Sequence, residues 1–251
     1  MSADLGNGVT QGQNRHQYPV ITIDGPSGAG KGTVSWRLAQ SLGYQLLDSG
    51  ALYRIVGLKA FEAGLLKDES NLEGPEEDKL AKLTETLNIS FVPNITTGAV
   101  DILVNNELIG ADIRNETIGG YASQVAVFPK VRLALLGLQQ EMAQRSGLIA
   151  DGRDMGTVVF PNADAKIYLT ASSEARAHRR VSQLQQAGQT ADYEAILATI
   201  EARDERDENR AASPSKPAED ALVLDSSILS AEQVYQAIKT HCQSKGICFG
   251  D

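Results

Sequence analysis

The chain has 251 residues, 42% of them hydrophobic, and its 32 acidic residues outweigh 23 basic ones for a net charge of −9. That length suits one sizeable core with room for an inserted lobe, and the acidic balance argues against generic binding to nucleic acid or an anionic membrane. Two cysteines, Cys242 and Cys248, and three histidines set aside a disulfide framework and argue against a zinc site, so a protein with reduced thiols in the cytoplasm is expected.

Residues 1–17 are polar and rich in Gly, Asn and Gln. They lack the apolar stretch of a signal peptide and read as a disordered tail. No run further along approaches the length that spans a bilayer.

The next stretch organises the rest: Val20-Ile21-Thr22-Ile23-Asp24, then Gly25-Pro26-Ser27-Gly28-Ala29-Gly30-Lys31-Gly32-Thr33, then Val34, Trp36, Leu38 and Ala39 at helical positions. Strand, glycine loop and helix start form the context of a phosphate-binding loop. Glycines let successive N–H groups turn toward one point, and the helix N-terminus adds partial positive charge there. Lys31 supplies a full charge suited to the β- and γ-phosphates of a nucleotide. One departure stands out: Gly32 follows the lysine, and the hydroxyl arrives only at Thr33. Any Mg²⁺ is therefore expected to come with the nucleotide, held mostly by water and phosphate rather than by protein ligands.

Tyr44 to Asp48 read as a short strand, and Ser49 is a plausible N-cap for a helix carrying Leu52, Ile55, Val56 and Leu58. An acidic irregular segment leads to a helix over about 77–87. From Asn88 the texture changes: Ile89 to Val92, Val100 to Val104 and Glu107 to Ile109 read as strands. Pro93-Asn94, Thr97-Gly98 and Asn105-Asn106 mark the turns between them. This small antiparallel sheet interrupts an α/β alternation and marks an inserted lobe. Helices return over 118–126 and 129–144. Leu148 to Asp151, Lys166 to Thr170 and Ala221 to Asp225 are short and apolar, as buried parallel strands are. Five such strands separated by helices predict an open α/β sheet with its ligands beyond the carboxyl ends of the strands.

Polar residues gather at those ends. Asp151-Gly152-Arg153-Asp154 follows a buried strand, where unpaired charge is costly, so an internal Asp–Arg pair that stiffens the loop competes with a ligand site. Ser172 or Ser173 with Glu174 opens a helix on which Arg176, Arg179 and Arg180 share a face, and a second basic helix carries Arg203, Arg206 and Arg210. Two solvated, ion-paired helices would look the same. Their coincidence with a phosphate loop favours an arginine-bearing lid for phosphoryl transfer, which needs positioning, charge and exclusion of water. A nucleotide-sensing switch is the competing class, although no Asn-Lys-x-Asp guanine motif is present. Among enzymes, kinases of UMP, AMP or shikimate are the alternatives.

Gly25 to Thr33, Leu47 to Arg54, Ala122 to Ala126, Ile149 to Thr157 and Arg203 to Arg210 together resemble the bacterial cytidylate kinases, a family of nucleoside monophosphate kinases. The resemblance implies transfer of phosphate from ATP, with Mg²⁺, to CMP or dCMP in a monomer that needs neither nucleic acid nor membrane. It implies a five-stranded parallel P-loop kinase core with helices on both faces (18–60 and 146–251), a β-rich monophosphate-binding lobe (61–145, its sheet about 88–110) and a short helical lid (about 172–206). It also implies roles. Gly25, Pro26, Ser27, Gly28, Ala29, Gly30, Lys31, Gly32 and Thr33, with Arg176 and Arg180 of the lid, would hold ATP. Ser49, Arg54, Arg153 and Arg210 would surround the CMP phosphate, and Tyr53 would also belong to the CMP site. Arg203 and Asp207 would meet the ribose, and Ser123, Arg132 and Asp154 would read the base. Lys31, Arg153, Arg180 and Arg210 would act on the moving phosphoryl group.

Overall fold

The computed structural model describes residues 16–66, 75–94, 99–110, 113, 115–209 and 213–250. Most of the expected tail, the turn at Thr97-Gly98, part of the acidic segment and Arg210 lie outside them.

The chain runs β1 (Val20–Asp24), α1 (Lys31–Leu42), β2 (Gln45–Asp48), α2 (Ser49–Glu62), α3 (Pro75–Glu85), β3 (Ile89–Asn94), β4 (Ala99–Val104), β5 (Glu107–Ile109), α4 (Glu116–Val125) and α5 (Pro129–Met142). It continues with β6 (Leu148–Gly152), a π-helical turn (Met155–Val159), β7 (Ala165–Thr170), α6 (Ser173–Gln186), α7 (Tyr193–Asn209), β8 (Leu222–Asp225) and α8 (Ala231–Ser244).

Five strands form one parallel sheet in the order β2-β6-β1-β7-β8. β1 is central, with Val20 opposite Leu148 on one side and Ile21 opposite Ala165 on the other. All five residues of β1 are buried, as are all five of β6, which explains their unbroken apolar character before the polar ends. Side-chain alternation divides the core in two. Val20, Leu47 and Leu148 pack with α2 and α5 through Leu52, Ile55, Val131 and Leu135. Ile21, Ile23 and Ile167 face α1 and α8 through Val34, Leu38, Val234 and Ile238. Helices thus cover both faces of the sheet.

β3, β4 and β5 form the separate antiparallel sheet. Asn105 and Asn106 both have positive φ, as a tight hairpin turn between β4 and β5 requires. The Pro93-Asn94 pair, expected as a turn, instead continues β3, with Pro93 opposite Val100. The reason is position: β3 is an edge strand, where a missing N–H interrupts no ladder. Ile89, Ile102 and Val104 belong to the same apolar cluster as Leu52 and Ile55, so this lobe and one face of the main sheet share a core.

A second correction concerns α2. Its cap is Asp48, whose carboxylate accepts the Ala51 N–H at 3.0 Å, while Ser49 is the first helical residue and is buried. A carboxylate caps as well as a hydroxyl, and the end of β2 places Asp48 first. At α6 the expected cap holds, with Ser172 accepting from Ala175. α7 has no buried residue; its half-buried face carries Arg203, Asp204 and Asp207. Among the described residues no helix is long and apolar enough to cross a membrane.

Candidate functional site

β1 runs directly into the glycine loop. Gly25 has φ +138°, and a Cβ there would lie 1.9 Å from the Leu169 carbonyl oxygen, so the loop can start against β7 only with glycine. Gly30, at φ +98°, is the left-handed N-cap of α1. Lys31 is the first helical residue and is 7% exposed. Its Nζ donates to the Pro26 carbonyl at 3.1 Å and stands 3.7 Å from Asp151 Oδ1. Burial lowers the Lys31 pKa and the nearby Arg153 guanidinium lowers it further, while burial raises that of Asp151. Asp151 and Asp48 offset part of that lowering, so the Lys31 ammonium is held between burial and two nearby carboxylates.

Over this loop lies a cavity of about 550 Å³, bounded by α6, α7 and the turn after β8. Arg176, 4% exposed, is built into its wall. Its Nε donates to Ala171 O at 3.0 Å, its Nη1 donates to Ser27 O at 3.2 Å, and both Nη atoms meet the Asp204 carboxylate. Arg179 Nη1 donates to the Gly28 and Ala29 carbonyls at 3.4 Å and to Ser226 Oγ at 3.2 Å, and its Nη2 donates to Ser226 O. Arg180 and Thr33 border the same space.

A second cavity, of about 230 Å³, is lined by Tyr53, Arg132, Gln139, Asp154, Val158 and Ser213 among others. Arg132 Nη2 donates to Asp154 Oδ2, with both side chains largely buried, and the guanidinium carbon sits 5.6 Å from the Tyr53 ring centre. Arg153 Nε donates to Asp207 Oδ2 on α7 at 3.0 Å. Arg153 and Asp154 are thus not partners of each other: each finds its counter-charge on a different helix. Behind them Asp24, 5% exposed, accepts the N–H of Met155 on Oδ1 and of Gly156 on Oδ2, both at 2.8 Å. Burial raises Asp24 to about 7, against the downward pull of these two bonds.

The glycine loop lines the larger cavity, the Arg132–Asp154 pair lines the smaller, and the Arg153–Asp207 pair joins the end of β6 to α7. The family model described as Cytidylate kinase matches residues 21–244. The chain is 51% identical over 224 residues to a protein of Pasteurella multocida (strain Pm70) named "Cytidylate kinase", covering 89% of this chain and 95% of that one. It is 49% identical over 227 residues to a protein of the same name from Shigella sonnei (strain Ss046), covering 90% of this chain and 96% of that one. The chain belongs to the cytidylate kinase family.

Of the residues expected to serve a cytidylate kinase, the structure gathers Lys31, Arg153, Arg203 and Asp207 near the loop, and Tyr53, Arg132 and Asp154 around the smaller cavity. Arg54 lies elsewhere, donating to the Ile113 and Asn115 carbonyls at 2.8 Å each. Ser123 Oγ donates to Gly119 O at 3.1 Å. Both therefore sit with α4, outside the lining of the smaller cavity. Among the described residues no three His, Cys, Asp or Glu side chains gather as a metal site.

The sequence reading put Arg179 on the basic face of α6 without a specific role and gave none to Asp24 or Ser226. Both of the latter had a readable signal: Asp24 is a charge closing a wholly buried strand, and Ser226 directly follows the end of β8.

Proposed function

We propose that this chain transfers the γ-phosphoryl group of ATP in line to CMP and dCMP, giving CDP and dCDP. The observation that carries the reading is a pair of separate cavities, with the Arg153–Asp207 pair tying together elements that line them. A large one lies on the glycine loop, and a small one holds the buried Arg132–Asp154 pair. Family membership supports it.

In this reading ATP lies along the larger cavity. The loop Gly25 to Thr33, through every backbone N–H but the one Pro26 lacks, cradles its phosphates with Lys31. Arg176 shapes the wall and Arg180 reaches over the moving group. Asp151 and Asp48 fit Mg²⁺ bound through its water shell. Asp151 Oδ2 lies 3.9 Å from where a Cβ on Gly32 would stand, and Asp48 is near enough to raise the Asp151 pKa. Bound with ATP, the metal supplies charge neutralisation on the β- and γ-phosphates. In the resting protein the cations Lys31, Arg153 and Arg176 are matched by Asp151, Asp207 and Asp204. Substrate phosphates take over those partners, so cationic charge is present at the reacting centre before the substrates arrive.

The smaller cavity takes cytosine. Its 4-amino group donates to a carboxylate, and its O2 and N3 accept from cationic or hydroxyl donors, which is the chemistry of Asp154, Arg132 and Ser123. Uracil carries a carbonyl where the amino group was and would set acceptor against acceptor at Asp154. Arg203 and Asp207 serve the ribose, and Ser49, Arg54, Arg153 and Arg210 the phosphate. Arg54, bonded to the Ile113 and Asn115 carbonyls, and Ser123, bonded to Gly119 O, receive these roles from the resemblance to the family. The α6–α7 lid is held by polar pairs rather than by an apolar core, which suits it to closing over ATP.

An ADP-release assay across CMP, dCMP, UMP, AMP and shikimate tests the proposal. Rapid turnover of CMP and dCMP with weak turnover of UMP is expected. Equal rates for CMP and UMP would remove the base assignment, and absence of CMP turnover would remove the function.

A further inference from the structure

The π-helical turn at Met155–Val159 begins beside the residues assigned above to the acceptor, yet its own preceding residue does not cap it. Asp154 makes no side-chain hydrogen bond to the turn and faces Arg132 instead. The first two N–H groups of the turn are satisfied from 131 and 132 positions away, by the two oxygens of Asp24 at 2.8 Å each. Asp24 is the last residue of β1, and Gly25 opens the phosphate loop.

The contact is confined on every side. A Cβ on Gly156 would lie 2.8 Å from Thr22 Oγ1 and 3.3 Å from Asp24 Oδ2, so the turn is pressed directly onto β1. Met155, fully buried, packs against Gly152, where a Cβ would come 2.7 Å from Met155 Cγ. The backbone of Met155 is thereby fixed by its N–H on Asp24 and by its side chain in the core. Asp154, immediately before it, has φ −144° and ψ 23°, away from the regular regions. With the next residue pinned, the direction in which Asp154 points is set from outside itself.

We propose that Asp24 is a positioning residue for the acceptor: its carboxylate aims the Arg153-Asp154 turn into the nucleotide pocket from the strand that carries the donor loop. The inference rests on the assignment of Asp154 to the cytosine base. Assayed at about pH 8, above the Asp24 pKa of about 7, the ionised carboxylate accepts both N–H groups, whereas the isosteric amide of Asp24→Asn offers one oxygen and turns an N–H₂ against the other donor. Loss of one such bond to a charged group, transmitted to a base contact, predicts a rise in KM for CMP of about tenfold. KM for ATP should move less than about twofold, because the glycine loop keeps its own backbone.

The test is a double-substitution cycle in the full chain, reading KM for CMP and for ATP in wild type, Asp24→Asn, Asp154→Asn and the double variant. If Asp24 acts through Asp154, each single change raises KM for CMP and the double variant is little worse than Asp154→Asn alone. A general structural role would raise both KM values together and multiply with Asp154→Asn, and that outcome overturns the inference. Asp154→Asn with unchanged KM for CMP would instead overturn the base assignment, so the two failures differ. If Asp24→Asn does not fold, Gly156→Ala disturbs the same contact from the turn side. It should show the same split between CMP and ATP, and a Gly156→Ala enzyme with wild-type KM for CMP counts against the proposal.

Discussion

Arg153 Nε donates to Asp207 Oδ2 at 3.0 Å, joining the end of β6 to α7 across 54 positions of sequence. Burial opposes the charge on Arg153, and the carboxylates of Asp207, Asp151 and Asp204 together outweigh it, raising the guanidinium above its ordinary value. The pair stores a cation at the proposed phosphate site without leaving it unmatched before substrate binds.

Asp207→Asn separates the two functions of that carboxylate. The amide still accepts from Arg153 but no longer carries charge, and the proposed bond to a ribose hydroxyl weakens. KM for CMP should rise about tenfold, equivalent to loss of one charge-assisted hydrogen bond. Turnover at saturating CMP should stay within about threefold of wild type. Steady-state kinetics at saturating ATP measure both. A variant with wild-type KM for CMP would take Asp207 out of the acceptor site.

Two arginines four residues apart on α6 should behave differently. Arg176 is nearly inaccessible and bonds to Ala171, Ser172, Ser27 and Asp204, so Arg176→Lys replaces a planar fork by a point charge that cannot span them. The expected loss is about 1–3 kcal/mol of stability, or roughly 3–9 °C in melting temperature, with a higher KM for ATP. Arg180→Ala leaves that clamp in place. It should leave the melting temperature unchanged and lower kcat by about 10²-fold, as removal of one transition-state donor does. Thermal denaturation alongside kinetics separates the cases. A stable Arg176→Lys, or an Arg180→Ala with normal turnover, contradicts the corresponding half.

The sheet and the loop were legible because their causes are local. β1 and β6 are buried on both faces and so appear as continuous apolar runs, and Gly25 to Lys31 places glycine where the backbone must turn tightly. The charge pairing was not legible, for a physical reason. Arg153 and Asp154 are neighbours in sequence, yet the backbone at the end of β6 splays them, Arg153 toward α7 and Asp154 toward Arg132 on α5. Asp24 shows the same limit more sharply, since both its partners are backbone N–H groups more than a hundred positions away, and backbone groups carry no sequence signature. Pro93 misled for a related reason: whether a proline ends a strand depends on whether the strand lies at an edge, which only the assembled sheet decides.

The glycines of the loop should not be equivalent. At Gly30 an added Cβ meets nothing within 4 Å, and alanine bears only the cost of its left-handed φ of +98°, about 1–2 kcal/mol. At Gly25 the added carbon would lie 1.9 Å from a backbone oxygen of β7, which no rotamer change relieves. Gly25→Ala should therefore cost more than about 4 kcal/mol or fail to give folded protein, while Gly30→Ala remains folded. Chemical denaturation of the two variants reads the difference, and comparable losses would mean that strain in φ, not the approach of β7, makes Gly25 necessary.

The last expectation concerns pH and Asp24. Its folded pKa of about 7 lies above the ordinary 3.8, so the native state holds this proton more tightly than the unfolded chain does. The stability linked to Asp24 is therefore fully present below about pH 4 and is lost as the pH rises through about 7. Between about pH 5 and pH 8 the loss is on the order of 2 kcal/mol. Asp151 and Lys31 also titrate with shifted pKa values, and the Asp24 charge is the smallest named influence on Lys31, so the difference between wild type and Asp24→Asn is dominated by Asp24. Urea denaturation across this range should show wild type losing about 2 kcal/mol more than Asp24→Asn. Parallel pH profiles would mean that the two backbone N–H bonds at 2.8 Å offset burial and keep the carboxylate ionised throughout. In that case the clamp on Met155 and Gly156 would hold at full strength even in mild acid.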